Sequence, residues 1–179
     1  IKTMHEVVSI NAGNRTICVK NLQNNELFED SYDSLIIATG AKSAVLPIKG
    51  IDSEDVFSLR NINDMIKIKK WINDKKVEEA VIIGTGFIGL EVCENLSRLG
   101  IKVSLVEKLN QVTPGLDEDM AVHVQKHLEK NGVTVYTGVS VSSVGNGSVV
   151  LSDSTIVHSD LTLVAAGVKP ETSLAEKAG

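Results

Sequence analysis

The chain has 179 residues, of which 42% are hydrophobic, so it is long enough and apolar enough to form a folded core. A net charge of −5 argues against nonspecific nucleic-acid binding, which requires a basic surface. We expect a cytoplasmic protein, because no apolar run approaches the roughly 20 residues of a membrane span, the first residues do not form a signal peptide, and Cys18 and Cys93 form no C-x-x-C pair.

Strand patterns occupy the first 41 residues. Alternation on both sides of the polar segment Asn11–Asn14 predicts a β-hairpin, and a short strand is expected near Leu27. Four consecutive apolar residues, 35–38, predict a buried strand that ends in small residues. Cys18 lies in the hairpin and is interpreted as structural, since nothing beside it would activate its thiol.

A linker and a helix are predicted next. Residues 42–60 include Pro47 and Gly50 and have little periodicity, with a possible short strand at Val56–Phe57. Apolar residues at helical spacing predict a helix over Asn61–Asn73. Its many lysines are interpreted as a solvated face, the alternative being a nucleic-acid patch.

The most informative segment runs from Glu79 to Lys108. An apolar strand at 80–83 precedes three glycines, a helix is predicted over Phe87–Leu99, and a second strand at 103–106 ends on Glu107. This order and length are typical of a βαβ unit with a parallel sheet.

The glycine spacing predicts a dinucleotide site. Gly84 permits a tight turn, Gly86 leaves room for a pyrophosphate, and Gly89 allows the helix to pack against the strand. The helix N-terminus attracts phosphate, and Glu107, eighteen residues after Gly89, is placed to accept hydrogen bonds from a ribose 2′-OH. The alternative is a glycine-rich turn without a ligand.

The remaining segments predict a further helix and several strands. Asp117 is a plausible N-cap for a helix that ends at Lys130. His123 and His127 lie four residues apart on this helix, but the zinc motif H-E-x-x-H is absent, so a surface helix is favoured over a metal site. Short strands separated by turns over 139–158 predict an antiparallel meander. The buried strand in Asp160–Gly167 resembles Asp33–Gly40, which suggests two related domains.

These motifs together resemble the pyridine nucleotide-disulfide oxidoreductases, and within them the branch of CoA-disulfide reductases and NADH oxidases. The resemblance is carried by residues that follow the order of that family: Met4–Val7, Tyr32–Ala41, the helix after Asn61, Gly84–Glu91 and Asp160–Pro170. It implies an α/β fold with a Rossmann-like, doubly wound parallel sheet, an antiparallel β-meander and part of a flanking FAD domain.

The resemblance also implies a domain organisation. Residues 1–48 would be the end of the first FAD-domain segment, 49–162 the NAD(P)-binding domain, and 163–179 the start of the return to the FAD domain. The first glycine-rich FAD motif and the redox cysteine would precede Ile1, and a dimerisation domain would follow Gly179, so a homodimer is expected for the intact protein.

Site residues follow from the matched motifs. Phe87 would cover the nicotinamide pocket, or only pack the helix, and Glu91 would reach towards nicotinamide and flavin, or face solvent. FAD would contact Val7, Ala38, Thr39 and Gly40. The residues expected to contact NAD(H) are Gly84, Gly86, Phe87, Ile88, Gly89, Glu91, Glu107, Lys108, Val141, Gly167 and Val168.

The implied activity is hydride transfer from NADH to flavin and on to a cysteine disulfide, CoA-disulfide, oxygen or peroxide. NADP(H) remains possible, because Lys108 beside Glu107 could neutralise a 2′-phosphate. No catalytic residue and no metal ligand is assigned to this chain, which would be inactive alone. The alternatives are a nucleotide-binding module without redox turnover and a structural domain with an empty site.

Overall fold

A computed structural model describes residues 1–179 and divides them into two compact units: residues 1–42 with 169–179 form unit 1, and residues 43–168 form unit 2. None of the helices is both long and apolar enough to cross a membrane. In chain order the elements are β1 (His5–Asn11), β2 (Thr16–Asn21), β3 (Leu27–Ser31), β4 (Ala41–Ser43), β5 (Val56–Ser58), α1 (Ile62–Lys75), β6 (Glu79–Ile83), α2 (Phe87–Arg98), β7 (Lys102–Val106), α3 (Glu118–Lys130), β8 (Thr134–Tyr136), β9 (Val141–Gly145), β10 (Ser148–Leu151), β11 (Ile156–His158), β12 (Leu161–Val164), β13 (Val168–Pro170) and α4 (Ser173–Ala178).

Unit 1 contains the predicted hairpin, extended by β3 into a three-stranded antiparallel sheet. The hairpin is confirmed, with Ile10 opposite Ile17, and α4 packs on β1.

The buried strand predicted at residues 35–38 is wrong for this structure. Residues 35–38 have no regular secondary structure, and Ile36 is 90% exposed. An apolar run becomes a buried strand only when neighbouring strands pair with it and cover its faces, and no strand pairs here. The similarity between Asp33–Gly40 and Asp160–Gly167 is therefore one of sequence, because only the second segment contains a strand.

Unit 2 is built on a five-stranded parallel sheet in the order β5-β12-β6-β7-β8. Helices α1, α2 and α3 connect successive parallel strands, and β9, β10 and β11 form the predicted antiparallel meander. The mixed fold class, with a parallel sheet and a β-meander, is confirmed. The possible strand at Val56–Phe57 is also confirmed, as the edge strand β5.

The central strand β6 is buried on both faces because its side chains alternate between two cores. Ala80 and Ile82 pack with Cys93 and Leu96 of α2 on the helical side. Val81 and Ile83 pack against the meander on the other side. Successive side chains of β6 point to opposite faces of the sheet, and both faces are buried. The strand therefore has a continuous apolar run rather than an alternating one.

Two of the three predicted helices, α1 and α3, begin near the expected residues but differ in how their N-termini are capped. Asn61 caps α1, since its side chain accepts a hydrogen bond from the Asp64 amide and the Asp64 carboxylate accepts one from the Asn61 amide. Asp117 occupies the N-cap position of α3, as predicted, but its side chain makes no capping hydrogen bond. His123 and His127 lie on α3, and no group of three or more His, Cys, Asp or Glu side chains is arranged to hold a metal.

One carboxylate of unit 1 holds the start of its C-terminal segment. The Glu171 carboxylate pairs with Lys42 and accepts a hydrogen bond from Ser173, while its backbone carbonyl accepts a 2.5 Å hydrogen bond from Thr39. The hydrogen bond from Lys42, followed by that from Ser173, lowers the pKa of Glu171 to about 2.

We expect the Lys42→Met substitution to raise the pKa of Glu171 towards its ordinary value, because it removes the first of these partners. Since the folded pKa lies below the unfolded value of about 4.3, the stabilisation is present above that pH and is lost as the pH falls towards 2. Carboxyl-carbon NMR titration measures the pKa directly. Lys42→Arg, which keeps the charge, should retain most of the shift, and equal pKa values in the two variants would contradict this assignment.

Candidate functional site

A cavity of about 810 Å³ in unit 2 lies where the strands β12, β6 and β7 end. The carboxyl ends of parallel strands leave a crevice where the connections diverge to opposite sides, and in α/β sheets this is where ligands bind. In this sheet β7, which follows β6 in the chain, lies on one side of β6, and β12 lies on the other side.

The glycine turn after β6 forms the floor of this cavity. Gly84 has φ +103°, and a Cβ there would lie 2.6 Å from the Ala165 carbonyl oxygen. A Cβ on Gly89 would lie 2.2 Å from the Gly84 carbonyl oxygen, so this glycine sets the approach of α2 to the turn. A Cβ on Gly86 would meet nothing within 4 Å. The first and third glycines are therefore required by packing, whereas Gly86 borders open space.

The N-terminus of α2 faces this floor without a capping side chain. Gly86 is the N-cap residue, and the first turn of the helix contains no acidic residue. The first amides of a helix have no intrahelical partner and carry a partial positive charge, so they suit a phosphate.

A buried carboxylate joins the turn to the end of β7. Glu107 is 8% exposed, and its Oε2 accepts hydrogen bonds from the Thr85 amide at 3.0 Å and the Thr85 hydroxyl at 2.8 Å. Its Oε1 accepts a third from the Leu109 amide at 3.0 Å. A carboxylate offers about four acceptor positions, so one on Oε1 remains for a ligand hydroxyl.

The walls of the cavity come from distant parts of the chain. One wall is a strap, Leu46–Ile48, whose position follows from the pairing of Lys49 with β9, where the Val144 amide donates to the Lys49 carbonyl at 2.9 Å. Another is Val139–Val141, which leads into the meander. Ala165–Gly167 after β12 and Pro114 complete the lining.

Eight of the predicted site residues line this one cavity: Gly84, Gly86, Phe87, Ile88, Glu107, Lys108, Val141 and Gly167. Gly89 lies beneath the turn instead, and the exposed Glu91 lies further along α2, outside the lining. Val168 is half exposed in β13. The four residues expected to contact FAD lie in unit 1, where Val7 is half-buried and Ala38, Thr39 and Gly40 are exposed.

Sequence reasoning missed Thr85 and most of the walls. Thr85 occupies the first of the three variable positions of the glycine motif, so the motif itself gives it no role. A signal for Leu46–Ile48 was absent, because a linker with little periodicity does not reveal which strand it follows. Neither cysteine lines the cavity, since Cys18 lies on β2 and Cys93 is buried on the inner face of α2.

Burial raises the pKa of the Cys93 thiol, and the charge of Glu94 adds to this, although a hydrogen bond with Ser97 acts in the opposite direction. This thiol is therefore an unreactive core group.

Comparison with known proteins identifies relatives of the whole chain. The family profile described as pyridine nucleotide-disulphide oxidoreductase matches residues 1–179. The coenzyme A disulfide reductase of Staphylococcus aureus is 31% identical over 176 residues, which are 98% of this chain and 40% of that protein. The chain thus spans about 40% of the length of the curated relatives it matches.

Solved structures of similar oxidoreductases match nearly the whole chain. Reduced CoADR-RHD of Bacillus anthracis is 41% identical with a TM-score of 0.93, over 98% of this chain and 32% of that one. The NAD-dependent persulfide reductase of A. fulgidus is 37% identical with a TM-score of 0.91, over 98% and 33%.

Two further relatives were solved with nucleotide. The water-forming NADH oxidase of Lactobacillus brevis, bound to NADH, is 28% identical with a TM-score of 0.85, over 96% of this chain and 39% of that one. A water-forming NADPH oxidase engineered from it, bound to NADPH, is 27% identical with a TM-score of 0.83 over the same shares.

The glycine turn allows a prediction that separates packing from open space. Gly84→Ala should destabilise the chain by about 2 kcal/mol or more, because alanine is strained at this positive φ and its Cβ meets the Ala165 carbonyl. Gly86→Ala should change the free energy of unfolding by less than about 1 kcal/mol, since nothing lies near its Cβ. Urea unfolding followed by circular dichroism measures both, and equal losses would show that the turn is not packed as described.

Proposed function

Because the chain belongs to the pyridine nucleotide-disulphide oxidoreductase family, we propose that it is the NAD(H)-binding portion of a FAD-dependent oxidoreductase. The observation that carries this proposal is the cavity at the strand ends, where an open glycine, an uncapped helix N-terminus and a buried carboxylate converge. These are the groups that a pyrophosphate and an adenosine ribose require.

The site supports this ligand part by part. The open space at Gly86 and the amides of α2 would receive the pyrophosphate, and the remaining acceptor of Glu107 would receive a ribose hydroxyl. Val141 would lie near the adenine, and Gly167 with Val168 near the nicotinamide ribose. Phe87, which is 82% exposed beside the cavity, would cover the nicotinamide, and Glu91 would reach towards it.

Unit 1 would provide part of the flavin environment. Val7 and Ala38–Gly40 are the proposed contacts, and the exposed apolar residues Leu35, Ile36 and Ile37 precede the second of them. A contiguous exposed apolar segment marks a surface that a ligand or another segment covers. Residues 1–48, 49–162 and 163–179 would then be FAD-domain, NAD(P)-domain and returning FAD-domain segments.

The chemistry of such an enzyme belongs to its cofactors: nicotinamide supplies a hydride and flavin passes the electrons to the acceptor. This chain would bind and orient the nucleotide. Relatives that match nearly all of this chain are named as a CoA disulfide reductase, a persulfide reductase and a water-forming NADH oxidase. Residues outside this chain are therefore proposed to determine the electron acceptor. The chain alone would be inactive. The two free cysteines fit a reducing, cytoplasmic compartment, and a homodimer stays a prediction.

A second candidate is a nucleotide-binding module without redox turnover. The observation in its favour is that the residues lining the cavity supply groups that could bind a nucleotide and none that could carry electrons. Flavin reduction by NADH in the intact protein would decide between the two.

The preference for NADH over NADPH is inferred from Glu107, whose charge would repel a 2′-phosphate. The engineered NADPH oxidase changes a glycine to alanine, an aspartate eighteen residues later to alanine, the next two residues to arginine and serine, and a proline five residues further on to arginine. The same intervals counted from Gly89 reach Glu107, Lys108, Leu109 and Pro114. Counted in this way, this chain has an acid, Glu107, where the NADPH oxidase lost one. It has a basic residue, Lys108, at one of the two positions where that enzyme gained an arginine, and a proline, Pro114, at the other.

The nucleotide site is tested by calorimetric titration of the chain with NADH and NADPH. We expect NADH to bind, and Gly86→Val to abolish binding, because its side chain would fill the space for the pyrophosphate. Gly13→Val, in the β1–β2 turn, is the matched control and should bind as the unmodified chain does. Failure of the folded, unmodified chain to bind either nucleotide would contradict the proposal.

Selectivity is tested at the two charged residues. Glu107→Gln should weaken NADH binding roughly tenfold and strengthen NADPH binding, since it removes the charge but keeps the shape. Lys108→Met should weaken NADPH binding only. Glu29→Gln, on the exposed face of β3, is the control. Unchanged NADPH affinity in both site variants would show that neither residue senses the 2′ position.

A further inference from the structure

Thr85 is buried at the first variable position of the glycine motif, and its amide and hydroxyl both donate to one oxygen of Glu107. Its relative exposure is 0%, and the amide and the hydroxyl lie 3.0 and 2.8 Å from Oε2. The tight turn depends on Gly84 and does not require a hydroxyl at the next residue. The hydroxyl therefore serves the carboxylate rather than the turn.

We propose that Thr85 is a positioning residue that fixes the Glu107 carboxylate and thereby sets the preference for NADH over NADPH. This inference rests on the function proposed above.

The hydrogen bonds determine how the carboxylate is oriented. Thr85 fills both acceptor positions of Oε2, and the Leu109 amide holds Oε1. These three donors fix the direction of the free acceptor on Oε1 before the ribose binds. A group that is already ordered loses less entropy on binding.

Removal of the hydroxyl would release this orientation. Oε2 would keep only the amide of residue 85, and a buried acceptor that loses a partner pays a desolvation penalty. The carboxylate would rotate towards the open cavity, where water can satisfy it. The acceptor for the ribose would then be disordered, and the negative charge would no longer be fixed beside the 2′ position.

The effect should appear in selectivity rather than in binding as a whole. NADH and NADPH share the pyrophosphate, whose proposed contacts at Gly86 and α2 do not involve the Thr85 side chain. The two nucleotides differ only at the 2′ position. Lys108, which is exposed and lines the same cavity, would meet a 2′-phosphate once the carboxylate moved.

The test compares Thr85→Val, which replaces the hydroxyl with a methyl group of similar size, with Thr85→Ser, which keeps the hydroxyl. Calorimetric dissociation constants for NADH and NADPH are measured for each variant of the chain. We expect Thr85→Val to weaken NADH binding roughly tenfold and NADPH binding much less, so that the ratio of the two affinities falls by about the same factor. Thr85→Ser should keep the ratio within about twofold of the unmodified chain.

Each other outcome has a defined meaning. An unchanged ratio of the two affinities in Thr85→Val would overturn the inference. If both affinities fall by the same factor, Thr85 serves the turn alone; if neither changes, its hydroxyl has no part in nucleotide binding. Thr85→Ala, which lacks the hydroxyl and is smaller than valine, should give the same shift in the ratio and replaces the valine variant if that does not fold. If the unmodified chain binds neither nucleotide, the proposed function itself fails; if it binds NADH preferentially and only the ratio prediction fails, the proposed function stands without this inference.

Discussion

The Glu107 carboxylate links the segments that follow two neighbouring strands, β6 and β7. It follows β7, yet its hydrogen bonds go to Thr85 after β6 and to Leu109 beyond its own strand. A carboxylate removed from water is costly unless donors replace its hydration, and here three donors do so. The shape of the glycine turn and the position of the acid are consequently not independent, since a displacement of one leaves the other with an unpaired buried group.

The parallel sheet makes this interaction possible. Strand β6 lies between β12 and β7, with Ile83 opposite Val106, so that the segments after all three strands leave from the same edge. The backbone amide of Gly84 donates to Val106 at 2.8 Å, and that of Ala165 donates to Ile83 at 2.8 Å, which continues the strand pairing to the point where the turn begins. Helices cover one face of the sheet and the meander covers the other, so the carboxyl edge is the part left open.

The sequence reveals the parts of this structure that depend on neighbours along the chain. Strand β6, helix α2 and strand β7 are adjacent in sequence, and their apolar spacing, three glycines and terminal acid predicted both the elements and most of the cavity floor. The strap at Leu46–Ile48 and the residues after β12 are about 120 residues apart, and only the folded sheet and meander bring them to one cavity. Residues 35–38 show the converse, because an apolar run reports a tendency to be buried but not whether a partner strand is present. Thr85 could not be assigned because its role depends on where Glu107 lies.

The three glycines of the motif answer three different physical demands, and this explains what the motif can and cannot specify. Gly84 is required by a backbone conformation and by the nearby Ala165 carbonyl, and Gly89 by the close approach of α2 to the turn. Both demands are internal to the fold, so they identify the fold. Of the three, Gly86 alone has free space where a side chain would be, and this is the space that the proposed pyrophosphate would occupy. Under the proposed function, the distinction between related nucleotides would come from polar groups around that space, and the cavity lining there includes Glu107, held by Thr85, and the neighbouring Lys108. A glycine pattern thus predicts that a phosphate-bearing ligand fits, whereas its identity depends on side chains whose orientation is fixed only in the folded chain.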